Sequence, residues 1–187
     1  MGSKIKIITM LNSLIRWLFI LMLAFLPWVV ACADSTRQPK PPLVLPFDVR
    51  KAGNKVELEI TITERQTYGF ELQYFFKEND QVDRARVWQM AGGSLKDQND
   101  KWVELGTSFR IKLKIIRRLE GNEQSQFEED ISNPRLSSWG SGSLYAMLAK
   151  VLLDPGLYIV SVENLSDAPE FQGTKVGLRI SRAYLGK

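Results

Sequence analysis

The chain of 187 residues contains no histidine and a single cysteine, Cys32. The first absence excludes His-based catalytic triads, His-ligated metals and imidazole acid–base catalysis. The second excludes an internal disulfide, so packing alone must stabilise whatever domain follows Cys32. Proline and glycine are not in excess, and no internal repeat or low-complexity block occurs. Motifs for a nucleophile elbow, a phosphate-binding loop or a dinucleotide cofactor are also missing. The nearest approach, "WGSGS" from Trp139 to Ser143, lacks the spacing of an elbow and reads as a flexible Gly-Ser loop. No cofactor and no enzymatic activity is expected.

The sequence pI of about 9.2 is misleading as a guide to partners. Lys4, Lys6 and Arg16 lie within residues 1–31, which hold no acid; removing these three from 25 basic residues leaves 22 against 21 acidic ones. Nucleic-acid binding needs a dense basic field, and a nearly neutral chain provides none.

What is present begins with a charge-free apolar run of 15 residues, Trp17 to Ala31, behind Lys4 and Lys6. A spanning helix needs roughly 20 residues, whereas the apolar core of a signal peptide runs about 7–15. Pro27, late in the run, would weaken a spanning helix further. Val29-Val30-Ala31-Cys32 resembles the lipobox of bacterial lipoproteins. That resemblance implies that the Cys32 thiol receives a diacylglycerol and that the signal, residues 1–31, is cut just before it. Several acyl chains would then hold the protein stably on a membrane. Ala33 follows the cysteine, and Asp34 stands one place too late for inner-membrane retention. By similarity to Gram-negative sorting signals, the expected location is the periplasmic face of the outer membrane. Residues 32–42, polar and then Pro-rich, read as a tether.

Residues 43–187 read as β structure. "NKVELEITITE" alternates, with Val56, Leu58, Ile60 and Ile62 on one face. "YGFELQYFFK" places Phe70, Leu72, Tyr74 and Phe76 inward; "SFRIKLKIIRR" does the same with Phe109, Ile111, Leu113 and Ile115; "TKVGLRIS" with Val176, Leu178 and Ile180. "LVLPFDV" is a short strand, placed at an edge by Pro46. "ENDQVDRARVWQMAGG" lacks alternation, offers Asn79 and Asp80 as caps and ends in two glycines, which predicts one short helix. "SLYAMLAKVLL" is ambiguous in its first half and a strand in its second. In "LLDPGLYIVSVEN", Tyr158 follows a turn at Asp154-Pro155-Gly156, the arrangement of a tyrosine corner. Around seven strands with this corner predict an all-β, immunoglobulin-like antiparallel sandwich.

The order of "LPFDV", "YGFELQYFF", a helix carrying "R...W.MAGG", "LLDPGLYIVSVEN" and "PEFQGTKVGLRI" resembles a bacterial lipoprotein family of unknown function, domain family 5625. Some of its members are suspected immunity proteins of secreted toxins, so the resemblance implies a non-catalytic binder of another protein. It brings no catalytic residues.

Among candidate sites, Glu57, Glu59 and Glu71 could line one sheet face, and a hydrolase would need two such carboxylates about 5–10 Å apart in a cleft. A solvated strand face is the plainer explanation. "KDQND", Lys96 to Asp100, offers oxygen ligands without the spacing of a calcium loop, so no metal site is expected. Two features are candidate partner-binding surfaces. Arg110, Lys112 and Lys114 form a basic stripe, for which cross-strand pairing with glutamates is the alternative. Trp88, Trp102 and Trp139 lie in or beside loops, where indoles serve either as binding anchors or as core caps. The expected function is binding of a protein partner, most specifically a secreted toxin, by a lipid-anchored immunity protein. The alternative is a housekeeping envelope lipoprotein for assembly or glycan binding.

Overall fold

The computed structural model describes residues 38–104 and 106–184, and for Trp102 and Glu104 their strand placement alone. Cys32 and the proposed signal segment lie outside the described residues. No helix among the described residues is long and apolar enough to cross a membrane.

Among the described residues, eleven strands and one α-helix follow one another as β1 (Leu43–Pro46), β2 (Lys55–Ile62), β3 (Gln66–Phe75), α1 (Gln81–Met90), β4 (Ser94–Lys96), β5 (Trp102–Glu104), β6 (Arg110–Leu119), β7 (Asn122–Ser132), β8 (Leu136–Trp139), β9 (Ser143–Leu153), β10 (Gly156–Asn164) and β11 (Val176–Arg182), with a single 3-10 turn at Pro169–Phe171 before β11. One antiparallel sheet has the order β1-β11-β3-β9-β8 and the other β2-β10-β6-β7; β4 and β5 form a separate hairpin. The all-β sandwich with one short helix is the architecture predicted from the alternation.

Period-2 patterning explains which faces meet. Ile60 and Ile62 from β2, Ile111, Leu113 and Ile115 from β6, and Val160 and Val162 from β10 are buried, facing Phe70, Leu72, Tyr74, Leu178 and Ile180 of the other sheet. Tyr74 stacks on Phe171 at 5.5 Å, and Phe109 meets Phe171 edge-on at 5.4 Å. Among the described residues β1 pairs with β11 alone, which is the edge position that Pro46 requires. Phe76, expected as an inward strand residue, lies one place beyond β3 and is half-buried. β9 is a strand throughout, resolving the ambiguity in "SLYAMLAKVLL".

At the β9–β10 turn the chain crosses from one sheet to the other. The Tyr158 hydroxyl donates to the Asp154 carbonyl at 2.9 Å, which closes the tyrosine corner. Arg117 reinforces it, donating to the Pro155 carbonyl at 2.9 Å. The "WGSGS" segment is a tight β8–β9 hairpin rather than a flexible loop, closed by the Gly140 amide donating to the Ser143 carbonyl at 2.8 Å.

β7 had no counterpart in the alternation. Its eleven residues, NEQSQFEEDIS, are almost all exposed. It forms an edge beside β6, where charged side chains discourage pairing with another chain.

Registers define two ends of the sandwich. The β2–β3 and β9–β10 turns share one end, because Gln66 pairs with Leu153 and Gly156 with Ile62. Gln38 and Pro39, within the segment read as tether, are fastened at this same end: the Thr61 amide donates to the Pro39 carbonyl at 3.0 Å and the Thr61 hydroxyl to Gln38 Oε1 at 3.1 Å. β3 then runs to Phe75, opposite Ser143, at the far end. Ten residues of strand separate the ends by about 30 Å.

Candidate functional site

Three structures converge on the far end: α1, the β4–β5 hairpin and the β8–β9 hairpin. Asp80 caps α1 by accepting from the Asp83 amide at 2.9 Å, and Asp83 accepts from the Lys77 amide at 2.8 Å and from Arg86 at 2.6 Å. The Lys77 amide, followed by Arg86, holds the Asp83 carboxyl below the usual carboxylate range. Of the residues of α1, Val87 is fully buried and roots the helix in the core, while Trp88 and Met90 pack partly against it. Gly92, with φ of 84°, ends the helix as its position predicted.

Gly93 has a different role. A Cβ there would lie 2.1 Å from Trp88 Nε1, so the indole rests directly on the Gly93 backbone. Its Nε1 also donates to the Ser94 carbonyl at 3.3 Å. Trp139, at the end of β8, leans against it with ring centroids 6.1 Å apart and planes tilted by 58°. Trp88 is half-buried, whereas Trp139 keeps 65% of its surface exposed. Beside them Leu95 is 44% exposed, and Arg84, Gln89 and Leu95 line a depression of about 310 Å³ with Trp88. Trp102 lies on β5 opposite Lys96, within the adjoining hairpin. Of the three predicted tryptophans, two therefore meet in one exposed patch.

The basic stripe is arranged differently. Lys112 and Lys114 both reach Glu128 on β7, each at 3.2 Å. Hydrogen bonds from Lys114 and then Lys112 lower the Glu128 pKa, and the Glu128 bond raises that of Lys112. Exposed pairs of this kind contribute little to stability, because solvent screens them. Their main effect is to make the stripe a charge-balanced face. Arg110 opens β6 opposite Ser132 and is exposed, with no ion pair among the described residues. The sequence alone could not reveal Glu128, because β7 lacks the alternation that would have announced a neighbouring strand.

The glutamates do not share a face. Glu57 and Glu59 belong to β2, but Glu71 belongs to β3 in the other sheet. Glu71 is 5% exposed and accepts from Arg179 Nη1 at 2.6 Å. Glu59 pairs with Arg118, and Glu57 with Lys55 at 2.6 Å. In "KDQND", Asp97 accepts from the Asn99 and Lys101 amides at 2.8 and 2.9 Å, and Asp100 pairs with Lys96 at 2.6 Å, as in a polar turn. Among the described residues no cluster of three or more His, Cys, Asp or Glu side chains is arranged to hold a metal.

Residues 44–182 match the family model described as Domain of unknown function (DUF5625). The chain belongs to the DUF5625 family. The match spans the whole sandwich from β1 to β11, so the patch around Trp88 and Trp139 lies inside the DUF5625 domain. No curated protein matches the sequence. Among solved structures, the DUF5625 sandwich is similar to a crystal structure of a protein from Sulfurospirillum deleyianum. The two are 23% identical with a TM-score of 0.59, over 75% of this chain and 96% of that one. This likeness concerns the fold.

Proposed function

We propose that this protein is a lipoprotein held through Cys32 on the periplasmic face of the outer membrane, and that its sandwich binds a protein partner. The most specific form of the proposal is an immunity protein that occludes a secreted antibacterial toxin. One structural relationship carries the binding reading. The chain joins the sandwich at one end, through Gln38 and Pro39 on β2, and the exposed Trp139–Trp88 patch sits at the other. A domain tethered before residue 38 would present that patch away from the membrane. Exposed indoles backed by a second ring favour anchoring of a partner, since Trp is enriched in binding hot spots.

The test is competition between cells. A strain lacking the protein should be inhibited by toxin-secreting siblings; wild-type protein should restore survival and Trp139→Ala should not. Equal survival of all three strains contradicts the immunity reading.

A further inference from the structure

The outer face of the five-stranded sheet carries a second feature, unconnected with the tryptophans. A hollow of about 510 Å³ lies across β11, β3, β9 and β8. Its floor includes Gly69, where a side chain is missing for no backbone reason: φ is not positive there, and a Cβ would meet its nearest neighbour, Met147, at an ordinary 3.6 Å. A side chain at this position would instead occupy the hollow.

Donors surround that floor. Arg179 enters from β11, fixed by the buried Glu71 carboxylate beneath it and lying over the Tyr145 ring at 4.9 Å. Lys150 enters from β9, one strand away on the other side of Gly69; its ammonium donates to the Tyr184 carbonyl at 3.2 Å and has no carboxylate partner among the described residues. Ser181 is 7% exposed, lines the hollow, and its hydroxyl has no hydrogen-bond partner among the described residues. Ser138 adds a second such hydroxyl from β8. Arg182 also lines the hollow, paired with Glu64 at 2.8 Å.

We propose that this hollow binds a phosphate group. Its donors arrive from three strands and several directions, around a position two strand spacings of about 4.8 Å wide. A tetrahedral oxyanion can accept from all of them, whereas a planar carboxylate presents acceptors in one plane. The pre-oriented Arg179 supplies a planar fork, Lys150 an uncompensated charge, and the two serines neutral donors. The phosphate could belong to a free ester or to a lipid headgroup. Exposed Leu152 and Tyr184 lie beside the hollow at the end where Gln38 joins the sandwich.

The experiment follows the amide signals of Gly69 and Ser181 by NMR, using the full chain in nanodiscs of phosphatidylcholine. One arm adds inorganic phosphate, with sodium chloride at equal ionic strength as the control; the other replaces part of the lipid by phosphatidylglycerol. Lys150→Ala and Gly69→Val serve as variants, with circular dichroism to check folding. Arg179 is left intact, since its removal would strand the buried Glu71. Saturable shifts with phosphate, weakened at least tenfold in both variants, are expected for a free-ester site. Shifts only with phosphatidylglycerol, absent in both variants, assign the site to a lipid headgroup. No shift in either arm, shifts reproduced by chloride, or shifts unchanged in the folded variants overturn the proposal.

Discussion

Trp88 and Trp139, on a helix and a hairpin distant in sequence, hold their ring centroids 6.1 Å apart at the end of the sandwich far from Gln38. The inner ring, packed against the core on one side, rests on the Gly93 backbone. Gly93→Ala should therefore push the Trp88 indole off its seat. Clashes of this kind cost about 1–3 kcal/mol. Denaturant melts and the tryptophan emission spectrum should both change; an unchanged emission maximum with full stability would contradict the seat.

Tyr158 and Tyr74 make opposite predictions from the same chemical change. Tyr158→Phe removes the bond to Asp154 and should destabilise the domain by about 0.5–1.5 kcal/mol. The Tyr74 hydroxyl is fully buried with no partner among the described residues, and burial pushes its pKa up. Tyr74→Phe should leave stability unchanged or raise it, because it removes an unsatisfied polar group. Equal losses in parallel denaturant titrations would refute this account of the two hydroxyls.

Asp48 provides an acid-dependent contribution. Its side-chain hydrogen bond to Arg50, helped by the Arg50 amide, holds its pKa down at about 2. An unfolded aspartate titrates near 3.9. The stabilisation is thus present above about pH 4 and is lost as pH falls through about 2. The stability difference between wild type and Asp48→Asn should shrink across that interval. Exposure of both side chains keeps the effect small. A difference that stays constant or grows on acidification would oppose the assignment.

Cys32→Ser should leave an unprocessed, unlipidated precursor, given the Val29-Val30-Ala31-Cys32 sequence. Metabolic labelling with a palmitate analogue measures this. Equal label on wild type and variant would reject the lipobox.

Strands that bury one face were readable from their alternation: β2, β6 and β11 show it plainly, and "DPGLY" announced the corner. β7 was not readable, because only Phe127 and Ile131 of its eleven residues turn partly inward, too few to create a pattern. That gap concealed Glu128 and hence the balanced charge on Lys112 and Lys114. Period 2 also misleads on β3. Glu71 alternates with the core residues and reads as solvated, yet it is buried on the outer face, as is Gln73 two places along. The meeting of Trp88 with Trp139 depends on how β8 packs beside β9, and no local signal specifies it.

The central claim is that the tryptophan end binds the partner. Its most direct test is quantitative capture from envelope extract by the anchored protein, comparing wild type with Trp139→Ala and Leu152→Ala. Both positions are exposed, at 65% and 54%, so neither change should affect folding, but they lie at opposite ends of the sandwich. The account predicts that Trp139→Ala loses at least tenfold in affinity for the captured protein while Leu152→Ala retains it. Equal affinity in all three proteins, or loss in Leu152→Ala alone, would contradict it.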